Sequence, residues 1–148
     1  MLGSKIRTCL WFNDNGHQAA EFYVSLIPGS ELESYDGVVT LFSLAGVPYM
    51  ALDGGDHYTL SPAASIMIET KDQEETDRLY DALLADGGEP SMCGWLVDRF
   101  GLSWQVVPAV LMKLLGAEDR EAAGRARAAM LKMRRLEIAK LEAAFRGE

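Results

Sequence analysis

Few side chains in this sequence could carry chemistry, and they are scattered. Cys93 precedes Gly94 and Trp95, and a thiolate beside an aromatic ring can act as a nucleophile where its pKa is lowered. Arg99 and Asp98 are near it in sequence, but no His or Lys is. The competing reading of Cys93 is a small buried thiol that packs as an apolar group. Asp98 suits a general base or a ligand anchor, and equally the acceptor that closes the turn into Arg99-Phe100-Gly101. Gln105 lies two residues after Ser103, so the two share one face of a strand and Trp104 takes the other. Gln105 and Ser65 together could hydrogen-bond a ligand. The chain has only two histidines, His17 and His57. His17 is expected at the start of a helix, outside any sheet. His57 follows Asp53-Gly54-Gly55-Asp56 and reads as part of a polar loop, the alternative being a ligand cluster with Asp53 and Asp56. Gln105, Asp98, Cys93 and His57 are thus the candidates for catalysis.

These residues are held by a pattern that runs twice. Ile6 to Phe12 reads as a strand and His17 to Ile27 as a helix, with apolar residues at helical spacing and Pro28-Gly29 as the stop. Three strands follow, Glu31–Tyr35, Val38–Leu44 and Val47–Leu52, with Asp36-Gly37 as a hairpin signal. After a loop to Pro62 the plan restarts. Ala63–Glu69 is a strand, and Asp72 with Glu75 forms a capping box for a helix that ends at Gly87-Gly88. Short strands are expected around Pro90–Met92, Gly94–Asp98 and Leu102–Val107.

A shift of 57 places Phe22-Tyr23 on Leu79-Tyr80 and Thr8 on Ser65, and a shift of 55 places Gly46–Met50 on Gly101–Gln105. The expected fold is therefore α+β: two βαβββ half-repeats, about 5–55 and 62–108, with curved mixed sheets around a cleft. Phe12, Met50, Met67 and Trp95 would line that cleft and suit a flat or apolar ligand, or else fill it themselves. Cys9 alternates with Thr8 and is expected to pack against the helices.

Residues 109–148 form a helical extension. Val110–Leu115 is a short helix, and Glu118–Phe145 reads as one long helix of strong helix formers, interrupted only by Gly124. Its apolar stripe is not a clean heptad, and it is expected to pack on its own body or on a partner subunit.

The 148 residues carry a net charge of −8, with 49% apolar and 24% charged residues. Residues 118–148 hold eight basic and six acidic side chains, so the other 117 carry six basic and sixteen acidic ones. That balance argues against a nucleic-acid partner. No apolar run reaches the roughly 20 residues of a membrane span, and the N-terminus is too polar for a secretory signal. The two cysteines share no metal-like or disulfide-like spacing. A cytoplasmic protein is expected.

The stretches Cys9–Phe12, Ala20–Tyr23, Met50–Gly55 and above all Cys93–Pro108 resemble the PhnB-like branch of the glyoxalase, bleomycin-resistance and extradiol-dioxygenase superfamily, also called the vicinal oxygen chelate superfamily. Members of this branch often carry the label 3-demethylubiquinone-9 3-methyltransferase-like. The resemblance implies paired βαβββ modules, a homodimer and a small-molecule cleft. It does not select a reaction. The methyltransferase label finds no support in the residues, because no glycine-rich strand-to-helix turn with a ribose-binding acid is present. Metal-dependent relatives take His, Gln or Glu ligands from the first and last strands of each half. Aligned by the repeat, those positions are Thr8, Met50, Ser65 and Gln105, and only Gln105 resembles such a ligand. The resemblance thus implies a small-molecule-binding protein without the usual divalent metal or other cofactor, with Thr8, Phe12, Met50, Ser65, Met67, Trp95 and Gln105 around the ligand. The alternatives are a lyase- or isomerase-type enzyme using the same cleft, and a dimeric interaction protein whose cleft is filled.

Overall fold

The computed structural model describes residues 3–148. The chain divides into two compact units, one running to Leu60 and the other from Ser61 to Glu148.

The first unit comprises β1 (Thr8–Phe12), α1 (Gly16–Leu26), β2 (Glu31–Tyr35), β3 (Val39–Leu44) and β4 (Val47–Asp53). Its sheet has the order β1-β4-β3-β2, with β1 parallel to β4 and the other pairs antiparallel. Alternation sorts the side chains into two faces. Leu10, Phe12, Thr40, Phe42, Leu44 and Ala51 are buried, and α1 covers them with Ala19, Ala20 and Tyr23. The opposite face carries Cys9, Trp11, Leu41, Met50 and Leu52, all partly or largely exposed. The hairpin at Asp36-Gly37 forms as expected: Asp36 Oδ1 accepts the amides of Val38 (2.9 Å) and Val39 (2.8 Å), and Gly37 takes φ +98°.

The N-terminus of α1 is capped from outside the local sequence. Asn15 makes no side-chain bond, and Asp53 Oδ1 at the end of β4 accepts the Gly16 N–H at 2.8 Å. A Cβ on residue 16 would stand 2.7 Å from that oxygen and 3.1 Å from the Phe12 ring, so a side chain there would push the Asp53 carboxylate off the amide.

The second unit repeats the plan with β5 (Ser65–Thr70), α2 (Gln73–Leu84), β6 (Glu89–Pro90), β7 (Trp95–Val97) and β8 (Ser103–Pro108) in the order β5-β8-β7-β6. Again the outer pair β5 and β8 is parallel. Asp72 caps the helix as expected, its Oδ1 accepting the Glu75 amide at 2.8 Å, while Glu75 Oε1 reaches back one residue beyond the cap and accepts the Lys71 amide at 3.1 Å. Leu79, Tyr80 and Leu83 of α2 are buried, as are Leu96, Trp104 and Val106 on the strands beneath.

Three further helices complete this unit: α3 (Ala109–Leu115), α4 (Arg120–Met130) and α5 (Ile138–Arg146). The expected single helix over 118–145 is therefore wrong. It breaks between Met130 and Ile138, because backbone groups of this crossing bind the body of the unit instead of continuing a helix. The tail packs on that body through a core of Val107, Leu111, Met133, Leu136 and Leu141. No helix among the described residues is long and apolar enough to cross a membrane.

A polar row on an apolar sheet face: the candidate functional site

The register of the second sheet lines up one row across three strands. Met67 on β5 faces Gln105 on β8, and Gln105 faces Trp95 on β7. The neighbouring row is Ser65, Ser103 and Val97. Directly paired residues share a face, so all six point away from the face that α2 covers. Gln105 Nε2 donates to Ser65 Oγ at 2.9 Å. That bond leaves the amide oxygen, one amide N–H and the serine hydroxyl proton for other partners. Ser103 adds a hydroxyl that is buried and without a hydrogen-bond partner. Met67 is 49% exposed, and Trp95 and Gln105 are half-buried. Sequence reasoning grouped Ser65, Met67, Trp95 and Gln105, and the structure brings these four together.

In the first unit the expected grouping fails. Thr8 pairs with Tyr49, Phe12 pairs with Asp53, and both lie on the side that α1 covers. Phe12 is 3% exposed and packs beneath the helix, so it does not line the open face. Cys9, expected against the helices, is on the opposite face beside Met50, its direct partner. Partial desolvation pushes the Cys9 thiol above its ordinary pKa. The reason is a loop of unequal length. Three residues separate β1 from α1, but two separate β5 from α2. Met50 and Gln105 are 55 apart, and their partners Cys9 and Met67 are 58 apart, so the helix shift of 57 puts the first strand out of phase by one. One residue of slip exchanges the faces of a strand.

Two features of the first unit escaped the sequence reading. Trp11 lies on the open face, donates Nε1–H to Gly55 O at 2.9 Å and meets the Tyr58 ring edge-on at 5.0 Å. Its presence was readable from the large buried partners Leu10 and Phe12 on either side of it. Arg7, with only 8% of its side chain exposed, donates to Glu33 Oε2 at 2.5 Å and to the carbonyls of Tyr49 (3.0 Å) and Phe42 (3.4 Å). Nothing in its local sequence separates it from an ordinary surface arginine.

Each catalytic candidate has its own surroundings. Asp98 is 3% exposed. Its Oδ1 accepts the amides of Phe100 (2.9 Å) and Leu102 (3.0 Å), and its Oδ2 accepts the Trp104 indole N–H at 2.9 Å. It closes the turn and anchors a core indole. Cys93 is half-buried with φ +60°, in the left-handed region. His57 is exposed in its loop. His17 stacks on Tyr35 at 3.8 Å, with Nε2 3.2 Å from Glu21 Oε1 and Nδ1 3.3 Å from Thr40 Oγ1. Among the described residues no three His, Cys, Asp or Glu side chains form a group that could hold a metal ion.

The sequence pattern of the family described as 3-demethylubiquinone-9 3-methyltransferase matches residues 4–107. A Bacillus cereus PhnB protein carrying the same description is 32% identical, with TM-score 0.66, over 72% of this chain and 100% of that one. Protein PA1353 of Pseudomonas aeruginosa is 23% identical, with TM-score 0.59, over 72% and 98% of the two chains. The Listeria monocytogenes fosfomycin resistance protein FosX, solved with Mn(II) and sulfate, shares the fold at 16% identity and TM-score 0.55, over 78% and 97%. No curated protein matches the chain. With its doubled strand–helix–three-strand plan, a match over residues 4–107 and a PhnB protein as a 32% identical relative, the chain belongs to the 3-demethylubiquinone-9 3-methyltransferase family.

Proposed function

We propose that this protein binds a flat, largely apolar small molecule through the Met67–Gln105–Trp95 row, without a divalent metal ion. The observation that carries the reading is the Gln105–Ser65 hydrogen bond set among exposed Met67 and half-buried Trp95. It fixes an amide with unused donor and acceptor capacity on an apolar face, the usual composition of a small-molecule site. The side chains do not fit a divalent cation. On the open faces the first and last strands supply the thiol of Cys9 and the thioether of Met50 in one unit, and the Ser65 hydroxyl, the Met67 thioether and the neutral Gln105 amide in the other, with no imidazole or carboxylate among them. The same geometry favours binding over catalysis, because the one buried carboxylate of this region, Asp98, has both oxygens engaged by three donors.

The neutral fluorescent probe N-phenyl-1-naphthylamine tests the site on dialysed full-length protein. Trp95→Ala and Gln105→Ala are each expected to weaken its binding about tenfold, with no change on adding EDTA. Wild-type affinity in both variants, or one equivalent of divalent metal surviving dialysis, would overturn the proposal. We further propose a homodimer in a reducing, cytoplasmic setting, consistent with the exposed free thiol of Cys9. Sedimentation at the mass of a single chain would refute the dimer.

A further inference from the structure

Two consecutive left-handed residues, Cys93 (φ +60°) and Gly94 (φ +85°), form the turn from which β7 starts, immediately before Trp95. Their amides bind the tail. Cys93 N–H donates to Met133 O and Gly94 N–H to Arg134 O, both at 2.7 Å. From the other side of the turn, Gly94 O accepts the Val106 amide at 2.9 Å. The fit is tight: a Cβ on residue 94 would stand 2.7 Å from Val106 O and 3.0 Å from Leu136 Cδ1.

The crossing that supplies these carbonyls is itself tied to α2. Gln73 Nε2 donates to Leu136 O at 3.1 Å, and Gln73 Oε1 accepts the Ile138 amide at 2.7 Å. Arg135 pairs with Asp77 and Asp81 and lies over the Tyr80 ring at 4.8 Å. All of these tail residues fall outside the 4–107 segment that defines the family, and the Bacillus cereus protein is covered completely by 72% of this chain. The turn before Trp95 is therefore held by a part of the chain that the family segment does not include.

We propose that the crossing between α4 and α5 is the positioning element of the ligand face: by taking the Cys93 and Gly94 amides it fixes where Trp95 stands beside Gln105. Its effect on ligand affinity rests on the function proposed above, whereas its hold on the turn does not. Loosening the crossing should free the turn while the rest of the sheet stays closed, because local opening follows the contacts that are lost.

The test uses the full chain and the double variant Gln73→Ala/Arg135→Ala, with Gln73→Glu as a milder alternative should the double variant fail to fold. Arg125→Ala is the control, since Arg125 joins α4 to α5 through the carbonyls of Ala144 and Phe145 and does not touch the turn. Amide hydrogen exchange at Cys93 and Gly94 should accelerate by about tenfold or more in the loosened variant, with β5 amides unchanged and the control like wild type. N-phenyl-1-naphthylamine affinity should fall in parallel. Wild-type exchange at Cys93 and Gly94, or acceleration only together with β5, would overturn the positioning role. Faster exchange at the turn with unchanged probe affinity would overturn its link to the ligand. Should Trp95→Ala and Gln105→Ala also leave the probe bound, the failure belongs to the ligand site and the hold on the turn stands.

Discussion

At the scale of single residues, Asp98 shows how a chemically suggestive carboxylate is used up by structure. The sequence allowed two uses for it, and the turn Arg99-Phe100-Gly101 already pointed to the structural one. What the sequence could not show was the second oxygen, because the Trp104 indole reaches Asp98 only through the antiparallel pairing of β7 with β8. Replacing it tests this arrangement. In Asp98→Ala three donors lose their acceptor, with Trp104 and Leu102 buried, so a loss of about 3 kcal/mol or more is expected. Asp98→Asn keeps an oxygen for the two amides but sets an NH2 against the indole N–H, and should cost about 1–3 kcal/mol. Urea denaturation followed by far-UV circular dichroism measures both, and equal losses would contradict the role given to Oδ2. The Thr8 and Cys9 reversal has the opposite lesson. The bulky even-numbered residues Leu10 and Phe12 declared the buried face of β1, but the repeat shift taken from the helices overrode that local signal.

At the scale of elements, the strands, the first two helices and the Asp72 cap were legible, because each carries its own periodicity or punctuation. The break between α4 and α5 was not. Leu131, Lys132, Met133, Arg134 and Arg135 are good helix formers, and no proline or glycine marks the stop. Tertiary bonding decides it. Three carbonyls of the crossing, Met133, Arg134 and Leu136, accept hydrogen bonds from Cys93, Gly94 and Gln73. Leu136, fully buried in the tail core, pays back part of the helix that is lost. Leu136→Ala should therefore destabilise the second unit by about 2–5 kcal/mol, the range for a large buried side chain truncated in a packed core. It should also speed amide exchange at Gly94, where the Leu136 side chain would stand 3.0 Å from an added Cβ. A continuous helix over 118–145 does not predict the faster exchange at Gly94, since it leaves those carbonyls bonded within the helix.

At the scale of the whole molecule, the doubled plan was the most legible feature, since its strands and helices repeat together in two compact units. The strand faces were only half legible: Ser65, Met67, Trp95 and Gln105 share one face of the second sheet as read, whereas Thr8 and Cys9 exchange faces in the first. The two units nevertheless share a pH liability. Burial raises the phenol of Tyr49 in the first unit and that of Tyr80 in the second, where the nearby Arg135 and Arg134 only partly offset it. The Cys9 thiol is raised in the same direction. For each group the folded chain holds its proton more tightly than the unfolded chain does. The contribution to stability is therefore complete below the unfolded pKa and is lost as pH rises through the folded one. Above roughly pH 9 for the thiol and pH 10 for the phenols, the unfolded state binds fewer protons and stability falls. Thermal unfolding should show a falling midpoint along this alkaline limb. Cys9→Ser should delay its onset, Tyr49→Phe should flatten it in the first unit, and Tyr80→Phe should do so in the second while sparing the Tyr80 hydroxyl its buried, unbonded position. A midpoint that stays level from pH 9 to pH 11 in the wild-type chain would show that these three groups are as solvated in the folded protein as in the unfolded one.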